Sequence, residues 1–535
     1  MDSSDKTGCL NSVVSEQVLQ PRDRLVFWVL TVLGNAAIVF FLFSWFQLPA
    51  WGAYPFVMVV LFAILAVFLL NNLGRWWILP SMKRPRAVPA RPGWKVAVVT
   101  TFVPGIEPLE LLEHMLRALI ALDYPHDTWV LDEGTDDRVK QLCAEVGAIH
   151  FSRLSYPQYQ TEAGTFRKAS KHGNYNAWLH EVGFERYDVM VAFDPDHVPN
   201  RVFLSKVLGY FDDPRIGYVQ APQVYSNQQA SFIARGAAEE TYDFYSSVQM
   251  ACYGKGFPFI IGCHNTHRLR ALRECGGFAS HDADDLLLTL LYQNRGWQGV
   301  YVPEVLARGL APGDWPTYLT QQRRWTRSVL DIKFRLAPAI ARNLSPTAAL
   351  LNALHGINYV HRSILFPIAM ILVALMLVVG KMPEIATDET IVSGSLMIIM
   401  LHIWERHRQR FYLNGRFEQG LHWRAMLLQF AKWPYQLAAV ADVLGNRQFP
   451  YVATSKMAAP RRSSFVLWPH LTNVGVIGLA WKIGLDIHGT LPVMVQLCAG
   501  VIVVVSLGLI ATEWNWMWRG KSLAGKLVSY VVAPF

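Results

Sequence analysis

Four groups of residues in the middle of this 535-residue chain have the types and spacing to do chemistry. Asp132 closes the apolar run at 129–131 and precedes Glu133-Gly134. A carboxylate at a strand end can accept hydrogen bonds from a base or sugar, and the glycine permits a tight turn, although an ordinary Asp-Gly turn has the same pattern. Asp194-Pro195-Asp196-His197 follows the apolar run 189–193. Two carboxylates one residue apart can hold a divalent cation that neutralises a diphosphate; a solvated turn is the plainer reading. Ala283-Asp284-Asp285 opens a helix predicted over 286–292. An aspartate there is either a cap or a general base for an acceptor hydroxyl, and Asp282 is near enough to compete for the second role. Gln321 and Arg324, at i and i+3, share a helix face beside Trp325. Guanidinium suits phosphate and indole suits a sugar ring, while a juxtamembrane anchor would use the same residues.

Open α/β sheets gather ligands at the C-terminal ends of their strands, so the elements to look for are strands ending at these groups. Short β-rich runs at 96–101, 128–131, 189–193, 217–221 and 299–302 alternate with amphipathic stretches, which predicts an α/β sheet domain. Residues 107–122 place Leu109, Leu112, Met115, Leu116 and Leu119 at helical spacing, as a helix covering one face of the sheet requires.

The remainder of the chain is apolar. With 52% hydrophobic residues and 19 tryptophans, it reads as a membrane protein carrying a large soluble domain. The net charge of +9 concentrates in stretches flanking apolar runs, at 75–91 and 405–416, which fits positive-inside topology and gives no support to nucleic-acid binding. Residues 25–46 and 54–70 form a predicted hairpin of spans with both ends cytosolic. Further spans are expected at 364–380, 391–404, 465–483 and 491–511, about six in all, with 345–360 a surface helix and 421–444 an interfacial stretch or a seventh span. The N-terminus lacks the pattern of a signal peptide. The six cysteines show no paired spacing, so neither a zinc cluster nor a disulfide framework is indicated. The expected layout is an N-terminal segment, hairpin and linker at 1–92, a cytosolic domain at 93–335, a channel region at 336–512 and a short tail at 513–535.

Taken in order, Asp132, Asp194-x-Asp196, Asp285 and Gln321-x-x-Arg324-Trp325 resemble the D, DxD, (T)ED, QxxRW series of processive family 2 glycosyltransferases such as cellulose, chitin and hyaluronan synthases. Lys171-His172-Gly173-Asn174-Tyr175-Asn176 is similar to the family's KAGNxNxAL segment, and Thr100-Thr101-Phe102 sits where the family's strand end meets uridine. Arg295-Gly296-Trp297 follows Asp285 at the family's spacing, which favours Asp285 over Asp282 as base. Residues 259–268 resemble the FxxGxxxxxR stretch beside the acceptor, and 451–456 resemble the gating loop FxVTxK. Departures are Glu133 for the second Asp of DDG, Pro195 inside DxD, and Ala283-Asp284 where Thr-Glu is usual.

The resemblance implies a GT-A (Rossmann-like) domain inserted in a helical membrane region, and an inverting synthase that polymerises a UDP-sugar, UDP-glucose first, into a secreted β-glycan. It implies Asp194 and Asp196 as ligands of Mg²⁺ or Mn²⁺ and Asp285 as general base. Thr100, Thr101, Asp132, Lys171, Gln321, Arg324, Thr454 and Lys456 would contact the nucleotide diphosphate; Trp325, Gly262, Cys263 and His264 would contact the acceptor. Its partners would be the donor, the growing β-glycan, the lipid bilayer of the plasma or inner membrane and accessory export proteins, with no nucleic acid. The residues after Ala511 are too few for a c-di-GMP-binding PilZ domain, so control by that route is not expected. UDP-N-acetylglucosamine polymerisation, single addition to a lipid-linked acceptor and a non-catalytic export role are the competing readings.

Overall fold

The structure is a computed structural model that describes residues 12–340, 342, 344–447 and 465–519. Its centre is a seven-stranded sheet: β1 (Val96–Phe102), β2 (Asp127–Asp132), β3 (Ile149–Phe151), β4 (Val189–Phe193), β5 (Ile216–Gln220), β6 (Asn265–Arg268) and β7 (Gln298–Tyr301). The spatial order is β7-β5-β6-β4-β1-β2-β3. β1 pairs in parallel with both β2 and β4, while β6 runs antiparallel between β4 and β5. The chain builds outward from β1 to β2 and β3, then crosses to the other side of β1 to lay down β4. The reversal creates a crevice at the C-terminal ends of β1 and β4, the place where open α/β sheets bind ligands. Thr100 and Thr101 stand at one lip and Asp194 at the other.

Alternation along the strands divides the core into two layers. Val96, Val98, Val130, Val189, Val191 and Phe193 face one side, where they meet Leu112, Met115, Leu116 and Leu119 of the helix Leu109–Ile120. All four helix residues are fully buried, each worth about 1.5–3 kcal/mol of apolar transfer. Ala97, Val99, Trp129, Leu131, Met190 and Ala192 face the other side, against the helices Lys171–Trp178, Leu269–Glu274 and Asp284–Asn294.

Among the described residues, four helical segments are long and apolar enough to cross a membrane: Pro21–Phe46, Pro55–Ser81, Pro346–Val379 and Val493–Trp514. The expected spans at 391–404 and 465–483 fall on helices Asp388–Arg408 and Trp468–His488, which are not among the four. The first of these ends in Glu405-Arg406-His407-Arg408 and packs on the N-terminal hairpin, with Trp404 stacked on Trp76 at 4.8 Å and bonded through its indole N–H to the Leu30 carbonyl. The stretch 421–444 is two helices, Trp423–Ala431 and Trp433–Leu444, broken at Lys432. At about 1.5 Å per residue each is by itself shorter than a bilayer core. The surface helix expected at 345–360 stops at Leu354, because the chain turns through left-handed Gly356 (φ +79°) and enters Ile357–Val379 seven residues before the expected span. The gating-loop-like segment, including Thr454 and Lys456, lies outside the described residues.

Candidate active site

Lys171 is the hub. It opens the helix Lys171–Trp178, capped by the Ser170 hydroxyl, which accepts from the Gly173 N–H. That helix is pinned to the sheet by Asn174, whose amide donates to the Leu131 carbonyl at 3.0 Å, and by Asn176, which donates to the Phe278 carbonyl at 2.9 Å. The Lys171 ammonium donates to Asp194 Oδ1 and to the Gly262 carbonyl, both at 2.5 Å. Lys171, Gly262, Asp284 and Asp285 line one cavity with Tyr175 and Asn265.

Asp284 and Asp285 begin the helix Asp284–Asn294, and Asp285 Oδ1 accepts from the Leu286 N–H at 2.8 Å. Burial pushes both carboxyls above the usual range and their mutual charge adds to it for Asp284, while Lys171 pulls the other way. Asp282 is different in kind. It accepts from Arg167 at 2.6 Å and Arg327 at 3.0 Å, and although burial pushes its carboxyl up, the two guanidiniums hold it below the ordinary value. It is a doubly paired anchor, whereas Asp284 and Asp285 stand on the cavity wall.

Asp194 is partly exposed, its side chain 29% accessible. Asp196 is buried, with Oδ2 accepting from the Leu310 N–H at 3.1 Å and Oδ1 3.2 Å from His197 Nδ1. Asp194, Asp196 and His197 each offer a ligand atom, all within 4.8 Å of one another, so an oxygen-rich divalent cation fits the donor set. The His197 ring lies over Gly309 so closely that a Cβ there would fall 2.2 Å from Nε2.

Asp132 is fully buried. Its oxygens accept from the Gly134 N–H at 2.8 Å and the Asp136 N–H at 3.2 Å, with His150 Nε2 at 3.1 Å, so in this conformation it shapes the turn after β2. Glu133, a departure from the DDG pattern, binds the buried Arg153 and accepts from the Ala169 N–H. It thereby ties Arg153, 20 residues on, and Ala169, 36 residues on in the loop before Lys171, to the turn after β2. Thr100 and Thr101 are buried at the end of β1, beside β2 and β4.

Gln321, Arg324 and Trp325 lie on the helix Trp315–Asp331, capped by Asp314. The helix is fixed to the cavity by Arg327–Asp282 and to the helix Trp433–Leu444 by Arg323–Asp442 at 2.6 Å. Gln321 is buried, while Arg324 and Trp325 are half-buried. Of the expected acceptor residues, Gly262 faces the cavity. Cys263 and His264 do not: both are buried, 2% and 0% exposed, clustered with His197 beneath the Asp194 turn. Direct acceptor contact is therefore not what this conformation gives them. Sequence reading missed Arg153, Arg167 and Arg327, whose charge partners lie up to 115 residues away.

Residues 190–404 match the family described as glycosyl transferase family group 2. Cellulose synthase 1 of Komagataeibacter xylinus is 29% identical over 280 residues, 50% of this chain and 17% of that protein. Probable glucomannan 4-beta-mannosyltransferase 4 of Oryza sativa subsp. japonica is 24% identical over 351 residues, 60% of this chain and 63% of that protein. The chain thus spans less than two thirds of either relative's length. Among solved structures, mannosyltransferase PcManGT from Pyrobaculum calidifontis, in complex with GDP-Man and Mn²⁺, matches over 72% of this chain and 99% of its own at 18% identity and a TM-score of 0.47. The chain carries a family 2 glycosyltransferase domain. The curated relatives it resembles within that class include cellulose synthases and a glucomannan mannosyltransferase.

Proposed function

We propose that the chain is a membrane-embedded, processive, inverting transferase. It takes a sugar from a UDP-sugar, UDP-glucose in first place, and adds it to a growing β-glucan of β-1,4 or β-1,3/mixed linkage. The polymer leaves through the chain's own membrane helices, with the domain at 93–335 facing the cytosol. The observation that carries this reading is the single cavity in which Lys171 joins Asp194 to the Gly262 carbonyl beside Asp284 and Asp285.

Asp285 removes the proton from the acceptor hydroxyl. Its raised proton affinity suits a base working near neutrality, and its bond to the Leu286 N–H fixes the carboxylate plane. Asp194 and Asp196 would hold Mg²⁺ or Mn²⁺, which would supply charge neutralisation of the diphosphate and so make UDP a better leaving group. Lys171, Gln321 and Arg324 take up the phosphates, Thr100, Thr101 and the Asp132 turn border the uridine, and Trp325 offers its indole to the acceptor ring. By the resemblance of 451–456 to a gating loop, Thr454 and Lys456 would contact the diphosphate; both lie outside the described residues.

The test is incubation of purified full chain with labelled UDP-glucose, UDP-N-acetylglucosamine or GDP-mannose and Mg²⁺ or Mn²⁺. The expected product is a high-mass glucan, digestible by linkage-specific glucanases. Label confined to a small lipid-soluble product would overturn processivity, and polymer made from another donor alone would replace glucose.

A further inference from the structure

Beneath the Asp194-x-Asp196 turn lies a second set of donor atoms of different chemistry. His197 follows β4, and Cys263-His264 precede β6, its antiparallel neighbour, with Asn265 opposite Ala192. The pairing brings a thiol and two imidazoles together, each residue at most 2% exposed, with one ligand atom from each within 4.8 Å of the others. His264 is held at φ +36°, a left-handed conformation that costs a side-chain-bearing residue energy and persists only where its surroundings impose it.

The tautomers follow from the partners. His264 Nε2 is 2.9 Å from the Pro222 carbonyl, which can only accept, so Nε2 carries the proton and Nδ1 presents a bare lone pair. That Nδ1 is buried without a hydrogen-bond partner. His197 Nδ1 faces the Asp196 carboxylate at 3.2 Å, leaving Nε2, 3.4 Å from the Gln223 amide, as the lone-pair nitrogen. An imidazole that donates one N–H to a carbonyl or carboxylate and keeps its other nitrogen unprotonated is the arrangement metal-ligating histidines adopt, and at His197 a metal would displace the Gln223 contact. Two such rings with a thiolate suit zinc, whereas two carboxylates suit magnesium or manganese.

We propose that His197, Cys263 and His264 form a zinc site with an open fourth position, distinct in ligand chemistry from the Asp194 and Asp196 carboxylates. The ligands bind as thiolate and neutral imidazoles, so any proton they carry leaves to solvent as the metal enters.

The test is titration of metal-stripped full chain in detergent with Co²⁺, a spectroscopic stand-in for zinc. The expected result is one equivalent bound, with a sulfur-to-cobalt charge-transfer band that Zn²⁺ displaces. The band persists in Cys252→Ser and Asp194→Asn and is lost in Cys263→Ser, and His264→Gln weakens binding by at least about tenfold. No uptake, uptake without the thiolate band, or a band that survives Cys263→Ser would overturn the proposal. Should Cys263→Ser not fold, the wild type decides: Zn²⁺ added to the metal-stripped chain must raise its melting temperature, and an unchanged melting curve refutes the site.

Discussion

Asp282 and Asp285 are three residues apart, and the structure gives them opposite expected responses to the same change. Asp282→Asn removes a charge that answers two arginines, whose side chains are 28% and 17% accessible. Unpairing a fully buried ion pair costs about 3–5 kcal/mol and an exposed one under about 1. These partly covered pairs fall between, at about 2 kcal/mol, which in a domain of this size is a loss of about 4–8 °C in melting temperature. Asp285→Asn removes no ion pair. It takes away the proposed base, with an expected fall of about 10²–10⁴ in turnover, or about 3–5 kcal/mol of barrier, and no loss of melting temperature. The assay pairs thermal unfolding in detergent with labelled polymer synthesis on the same preparations. Full synthesis by Asp285→Asn, or an Asp282→Asn that melts like the wild type yet is inactive, would refute the reasoning.

Three further outcomes are expected. Asp284 has a raised folded-state proton affinity, so its contribution to stability is full below the ordinary carboxylate range and is lost as pH rises through the raised value; Asp284→Asn should therefore gain melting temperature over the wild type towards neutral pH, measured by unfolding between about pH 4 and 8. By the same shift, synthesis should rise with pH through a midpoint above the ordinary carboxylate range, and a midpoint near 4 would exclude the Asp285 pair as its source. Gly309→Ala should cost about 1–3 kcal/mol, since its Cβ would meet the His197 ring; an unchanged melting curve would show that the ring is free to move.

Much of this was legible in the chain and the rest was not, for physical reasons. β1, β2, β4, β5 and β7 announce themselves as apolar runs, because a strand covered on both faces must be apolar along its length. β6 reads Asn-Thr-His-Arg and gives no such signal; its histidine and arginine are accommodated by partners, His267 on Tyr292 and Asn265, Arg268 on the Ile216, Phe211 and Asp213 carbonyls, while the buried Thr266 hydroxyl has no hydrogen-bond partner among the described residues. Motif spacing located Asp132 but could not tell that its carboxylate is engaged by its own turn. It also grouped Cys263 and His264 with Gly262, whereas the backbone takes a left-handed step at His264 and both side chains are buried beside His197. The arginine clamps on Glu133 and Asp282 were out of reach because no local pattern links residues so far apart in sequence.

The placing of Lys171 also bears on how salt and metal would act together. Its ammonium is the counterion already built into an acidic cavity, resting on Asp194 before any donor arrives. On the proposed function, a divalent cation entering alone at Asp194 must evict it, and a diphosphate entering alone meets Asp284 and Asp285 on the cavity wall with Lys171 as the one cation among the described residues lining it. Entering together, the two carry opposite charge, and Lys171 need only exchange a carboxylate for a phosphate. Metal and nucleotide sugar then behave as one ligand: each should bind weakly by itself and strongly in the other's presence, an obligate coupling that keeps the cavity closed to either free ion.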